Sequence, residues 1–155
     1  MKSVKLKLVL TIIALLVAFL AIRLFYAEQK AEGEGVIYLQ IIDENQQMVF
    51  DDQLTFFEGE TFYDILDRIF TLTCADRNYQ PDATCSYTFP ILNSKAILGI
   101  KNEHFDIMTN WWDTLIEIEL HDGQNYYRAS HGVSHLPFED ESRIRLKVSR
   151  PWGGT

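Results

Sequence analysis

Glycine, proline and cysteine are all scarce in this chain, at eight, four and two of 155 residues. That scarcity excludes a repeat fibre, and 47% hydrophobic residues with 23% charged exclude intrinsic disorder. Positive charge is short as well: 14 Lys and Arg stand against 22 Asp and Glu, a formal net charge of -8. Nucleic acid is thereby excluded as a partner, because phosphate binding needs clustered Lys and Arg. The sequence also has no P-loop, no G-x-G-x-x-G and no H-E-x-x-H. Ser130 precedes His131, but no G-x-S-x-G elbow positions it as a nucleophile, so the expectation is a chain without catalysis. The length leaves room for about one domain.

What the chain does have is a single long apolar run, 8–22, interrupted only by Thr11. Lys2, Lys5 and Lys7 precede it and Arg23 follows. The run is shorter than the roughly 20 residues a spanning helix prefers. Snorkelling of the flanking cations extends the usable span to about 4–26. A cleaved signal peptide is the competing reading. Cleavage wants small residues in an A-x-A pattern, whereas Phe19-Leu20-Ala21 and Phe25-Tyr26-Ala27 each put an aromatic first. No cysteine lies near the end of the run to carry a lipid anchor.

The reading is therefore a single-pass signal anchor in the cell membrane. Residues 1–27 form a cytoplasmic stub and transmembrane helix, 28–35 (EQKAEGEG) a flexible linker, and 36–155 an extracellular domain. Phe25 and Tyr26 become interfacial anchors. Four of the 14 basic residues and none of the 22 acidic ones fall in 1–27, so the remainder carries 10 against 22, a net -12. Anionic headgroups repel such a domain, which keeps it clear of the bilayer. Cys74 and Cys85 both lie in the exported part, where an even count predicts a disulfide. Two free thiols or half of a metal site are the alternatives, and no nearby His supports the second.

Within the domain, 36–42 (VIYLQII) predicts a strand, 43–46 a turn, and 48–50 with 54–57 the return of a hairpin. Phe62, Ile65, Leu66, Ile69 and Phe70 recur at helical spacing, with Thr61 as N-cap and Asp64 completing a capping box. Short strands are expected at 87–92 and 95–100, broken by Pro90 and Asn93. Residues 114–120 (TLIEIEL) alternate, with Leu115 out of phase with Ile116, Ile118 and Leu120. Asp122-Gly123 is a hairpin signal, Tyr126-Tyr127 starts the return, 129–141 reads as a polar irregular loop, and 143–148 (RIRLKV) closes the sheet. The order gives an α+β domain with one helix covering a mixed sheet.

Several candidate sites weaken on chemistry. His131 and His135 lack a third ligand at regular spacing, which favours two surface histidines over a metal site. Glu139, Asp140 and Glu141 read as a solvated turn rather than a calcium loop. Glu58, Glu60, Asp64 and Asp67 suit a helix start. The aromatic group is more suggestive. One of the adjacent Trp111 and Trp112 must leave the core, since side chains alternate in an extended chain. Beside Tyr126, Tyr127 and the loop carrying His131, an exposed Trp makes an anchor patch for a ligand or a partner protein.

The opening strand VIYLQI, the segment LTFFEGETFYDIL with its Gly59-Glu60-Thr61 step, ILGI at 97–100, Trp111-Trp112 leading into TLIEIELHDG, and GVSHLPFEDESRIRLKV follow one another in a familiar order. Together they resemble the β-grasp domain at the C-terminus of vitamin B12 carriers such as transcobalamin and intrinsic factor, which recurs in poorly characterised bacterial surface proteins. The resemblance spans about 36–148. Asp122 replaces the common Asn before Gly123, 139–142 replaces a glycine-containing acidic turn, and the cysteine loop is an insertion. The aromatic patch makes Trp111, Trp112, Tyr126, Tyr127 and His131 the expected ligand-binding residues of a binding module, and the resemblance implies a β-grasp-like fold and, as ligand, a corrinoid or similar cofactor-like molecule. An interaction module of a cell-envelope complex is the alternative function.

Overall fold

The computed structural model describes residues 2–25 and 28–150, with the side chains of 6–24 and 28–150. The N-terminal helix α1 (Lys2–Phe25) contains a 19-residue apolar stretch, Leu6–Leu24, none of it buried against the rest of the chain. Nineteen residues rise about 28 Å, close to the roughly 30 Å hydrocarbon thickness of a bilayer. By length and composition the helix is able to cross a membrane or to serve as a signal sequence. Thr11, its one hydroxyl in the run, returns its proton to the Lys7 carbonyl at 3.0 Å, which satisfies it without water. The expected anchors Phe25 and Tyr26 lie outside the described side chains.

The remainder is a mixed α+β domain. Strand β1 (Gly35–Ile42) and strand β2 (Met48–Phe56) form the predicted hairpin. Its turn is held by Asp43, whose carboxylate accepts from the Asn45 and Gln47 amides at 2.9 and 2.8 Å. Helix α2 (Phe62–Ile69) begins at Thr61 with both halves of the capping box formed. The Thr61 amide donates to Asp64 at 2.8 Å, and the Asp64 amide donates to the Thr61 hydroxyl at 3.2 Å. Phe62, Ile65 and Leu66 are buried beneath it. Phe70, expected as part of the helical face, is the C-cap: its backbone turns extended and its ring stays in the core.

Three further strands complete the main sheet: β7 (Leu115–His121), β8 (Tyr126–Arg128) and β9 (Ser142–Ser149), which follow four strands of a second sheet in the chain. The order is β2-β1-β9-β7-β8, with β1 and β9 parallel at the centre and the other pairs antiparallel. Ile37, Leu39 and Ile41 of β1 and Ile144, Leu146 and Val148 of β9 face α2 and form the core. Ile116, Ile118 and Leu120 pair with Val148, Leu146 and Ile144, as the alternation requires. The opposite face is polar, and one row crosses all five strands: Asp51, Gln40, Arg145, Glu119 and Arg128. Arg145 bonds Gln40 at 3.2 Å and Glu119 at 3.3 Å within that row. Asp51 and Asp52 sit on the exposed edge strand β2, where charge discourages pairing with another chain.

A second sheet was not expected. It comprises β3 (Thr71–Ala75), β4 (Pro81–Asp82), β5 (Ile97–Lys101) and β6 (Asp106–Met108), ordered β4-β3-β5-β6. The expected strand at 87–92 is instead irregular, with one isolated bridge between Phe89 and Ser94. Pro90 removes a ladder donor, and Asn93 at φ 46 turns the chain back on itself. Cys74 and Cys85 form the disulfide, both buried, and close the loop that leaves β3. The stretch 28–35 differs from a flexible linker. Ala31 is buried; its amide donates to the Glu60 carbonyl at 2.8 Å and its carbonyl accepts from Gly59 at 3.0 Å.

Candidate functional site

Helix α2 is only two turns long and leaves the β7 end of the main sheet uncovered. Ile116, Ile118 and Leu120 are accordingly half-buried rather than buried. Ile116 and Ile118 line a cleft of about 430 Å³ together with Leu92, Ile97, Val133 and an aromatic wall of Tyr79, Phe89 and Trp111. Phe89 stacks with both Tyr79 and Trp111, and Tyr79 is tilted 32° to Trp111. Tyr79 and Phe89 lie 5.4 Å apart between centroids, Tyr79 and Trp111 4.7 Å, and Phe89 and Trp111 6.1 Å. Such offset stacking suits the ring quadrupoles and fixes the wall as a unit.

Each ring is brought there by a different local device. Tyr79 sits at the tip of the β3–β4 hairpin in a left-handed conformation, φ 60. Asp76 holds that tip, its carboxylate accepting from the Asn78 and Gln80 amides at 2.7 and 2.9 Å. The disulfide ties down the far end of the hairpin, and Asp82 braces the turn before Cys85. The Asp82 carboxylate accepts from the Thr84 hydroxyl and amide at 2.6 and 2.8 Å and from the Ser86 hydroxyl and amide at 3.0 and 3.2 Å. Those bonds, Thr84's first, lower its pKa to about 2. Phe89 follows the bridge, and the Lys95 ammonium donates to the Cys85 carbonyl, locking the strap 85–95 onto the hairpin. Trp111 stands on the turn between β6 and β7.

Polar groups line the cleft as well. Glu117 and Arg128 pair at 3.3 Å, and the Ser130 hydroxyl lies 3.1 Å from Nδ1 of His131. His135 lines the cleft too, but it is 1% exposed, with Nε2 2.7 Å from the Leu92 carbonyl. This corrects the picture of two surface histidines in a polar loop. Residues 133–136 are all buried and pin the loop to the strap.

The expected patch is divided by the structure. Trp111 and His131 line the same cleft. Trp112 points the other way, 64% exposed, into a separate concavity. Neither Tyr126 nor Tyr127 is among the residues lining the cleft. Tyr126 is on the polar face of the sheet beneath the Arg145 guanidinium, 3.5 Å from the ring centroid, and edge-on to His121. Tyr127 is exposed at the β8 edge, opposite Leu120. Tyr79 and Phe89 were missed as wall residues. Their flanking of Cys85 was the available signal, since a bridge back to β3 carries both toward one end of the domain. Among the described residues no group of three or more His, Cys, Asp or Glu is placed to hold a metal ion.

No family model matches the chain, and no curated protein matches it. The cleft's own chemistry is a stacked aromatic cluster, aliphatic side chains from β7 and the loop, and hydrogen-bonding groups among them. That arrangement can enclose a flat, largely apolar body and orient it by its polar edge.

Proposed function

We propose that the protein is a membrane-anchored, non-catalytic binding module that displays this cleft outside the cell and captures a flat ring-bearing ligand in it. The observation that carries the reading is the Tyr79–Phe89–Trp111 wall, which lines a cleft of about 430 Å³ together with Ile116 and Ile118. The buried disulfide supports an oxidising, extracellular setting. The strand order, with first and last strands parallel at the centre beneath one helix, supports the β-grasp resemblance. By that resemblance the ligand is a corrinoid. A corrin ring with its amide arms exceeds the cleft and would enter by one edge, whereas a smaller flat ring system fits whole.

The docked linker supports outward display. Five residues lie between Phe25 and Ala31, a reach of at most about 20 Å, so the end of the domain at Gly59 and Gly35 stays near the anchor. From there β1 and its parallel neighbour β9 run about 26 Å to the opposite end of the domain. Ser149 at the far end of β9 pairs with Leu115 beside the cleft. That separation supports a cleft displayed away from the bilayer.

The test uses the full chain in lipid nanodiscs, titrated with cyanocobalamin, cobinamide and riboflavin while tryptophan emission and Tm are followed. A saturable quench with a raised Tm is expected, lost in Trp111→Ala. No quench and no change in Tm with any of the three overturns the ligand-capture reading.

One observation favours a second reading, docking of an envelope protein by strand addition. Strand β8 covers Glu119–His121 of β7 and the Ala129 amide donates to the Ile118 carbonyl, so the edge at 115–117 borders the cleft. An extended peptide laid there would pair with the backbone and bury a side chain against Trp111. Crosslinking from position 117 to a membrane partner, with silence toward small molecules, would decide for it.

A further inference from the structure

Outside α1, Trp112 is the most exposed aromatic ring among the described residues, at 64%. A lone exposed Trp needs no explanation, but this one is held rigidly in a shaped surface. The Asn110 carboxamide oxygen accepts from the Trp112 and Asp113 amides at 3.0 and 2.8 Å, and its nitrogen donates to the Asp113 carboxylate at 3.0 Å. The neighbouring Thr109 is buried and donates its hydroxyl to the Leu98 carbonyl at 2.7 Å, which fastens the turn to β5. Tyr79 supports the indole edge-on, 6.0 Å away. A ring fixed in this way loses little entropy when a ligand stacks on it.

The indole borders a concavity of about 690 Å³ at the end of the domain opposite Gly35. Glu44, Met108, Asn110, Asp113 and Arg150 contribute to its rim. Carboxylates, an amide and a guanidinium surround one flat ring. They match a pyranose, with one C–H face to stack on an aromatic and equatorial hydroxyls that both donate and accept. Two rim carboxylates against one guanidinium, in an exported part of net charge -12, repel anionic polymers.

We propose that Trp112 is the stacking platform of a second site, which binds a neutral polysaccharide, with Glu44, Asn110, Asp113 and Arg150 bonding its hydroxyls. This site is distinct from the cleft, because Trp111 lines the one and Trp112 the other, and Tyr79 touches both rings.

The experiment titrates the full chain in detergent micelles with cellohexaose, xylohexaose and an N-acetylglucosamine hexamer, with polygalacturonate as the anionic arm. Saturable binding of at least one neutral oligomer is expected. Trp112→Ala should weaken it at least about tenfold, as loss of a central aromatic anchor does. Asp113→Asn and Arg150→Ala weaken it less, and Trp111→Ala leaves it unchanged. A matching Tm for Trp112→Ala confirms that its fold is intact. The proposal is overturned by no binding of any neutral oligomer, by binding that Trp112→Ala leaves intact, by preference for polygalacturonate, or by capture of a protein through Trp112 in place of sugar. Failure here with success in the riboflavin and corrinoid titrations removes only this second site.

Discussion

Replacing both cysteines, Cys74→Ala with Cys85→Ala, tests the link between the disulfide and the cleft. The bridge spans 11 positions, and closing a loop of about 12 residues removes unfolded-chain entropy worth about 2.8 kcal/mol at 25 °C. The domain of roughly 115 residues unfolds with an entropy near 0.24 kcal/mol/K, so that loss corresponds to a fall in Tm of about 12 °C. Both cysteines are buried, at 0% and 5% exposure, so lost sulfur contacts add to the entropic term. The assay is scanning calorimetry of the full chain in detergent, without reductant, wild type against the double variant. The second effect is local. The loop carries Tyr79, so its release should unstack Trp111 and change tryptophan emission well below the melting transition. A fall in Tm under about 4 °C, or unchanged emission, would show that the hairpin is held by its turns alone and that the bridge does not build the wall.

Thr61→Ala removes one half of a formed capping box at a buried N-cap and should cost about 1–2 kcal/mol, read as a shifted urea midpoint. Leu66→Ala, at a fully buried position beneath α2, should cost about 3–4 kcal/mol by the same measurement. The Asp82 carboxyl should titrate by NMR near pH 2 rather than near 3.8. Because its folded pKa is depressed, its stabilising contribution is complete above pH 3.8 and is lost as pH falls toward 2; a midpoint near 4 would mean the Thr84 and Ser86 bonds are open in solution. Tyr79→Asn keeps a residue that tolerates the left-handed conformation but deletes the ring, so ligand quenching should vanish while Tm falls only a few degrees. A collapse of the fold would make Tyr79 a core residue instead.

Much of the main sheet was legible because its residues obey one period at a time. Helix α2 showed five apolar positions at helical spacing and a capping pair, and β1, β7 and β9 alternate over seven or eight residues. The second sheet offered no such signal. Strand β4 has two residues and β6 three, and Leu98, Gly99 and Ile100 of β5 are buried in succession, so alternation is erased. The divided aromatic patch has two causes. The turn at 110–114, rather than alternation along an extended chain, separates Trp111 from Trp112, and alternation places Tyr126 with His121 on the charged face, a consequence that follows only from the register of β7 against β8. His135 looked solvated because its neighbours are Gly, Ser and Pro. The carbonyl that makes its burial tolerable, that of Leu92, lies 43 positions away.

Backbone strain concentrates where the cleft is built. Five non-glycine residues among those described have positive φ: Gln46, Tyr79, Cys85, Asn93 and Glu141. Gln46 sits in the β1–β2 turn and Glu141 in the tight entry to β9, where its amide bonds the Val36 carbonyl at 2.7 Å. The other three border the cleft, in the hairpin tip, at the disulfide and in the strap. A side chain held left-handed costs roughly 1–2 kcal/mol, least for Asn, and such strain persists only where the surroundings over-determine it. Here the bridge, the Asp76 and Asp82 turns and the Lys95–Cys85 bond supply that constraint. A hairpin serving stability alone has no reason to carry a tyrosine at its strained tip, since Gly or Asn would fit there more cheaply. Stacking on Trp111 and Phe89 recovers part of the cost, and the ring's exposure to the cleft accounts for why that position is aromatic at all.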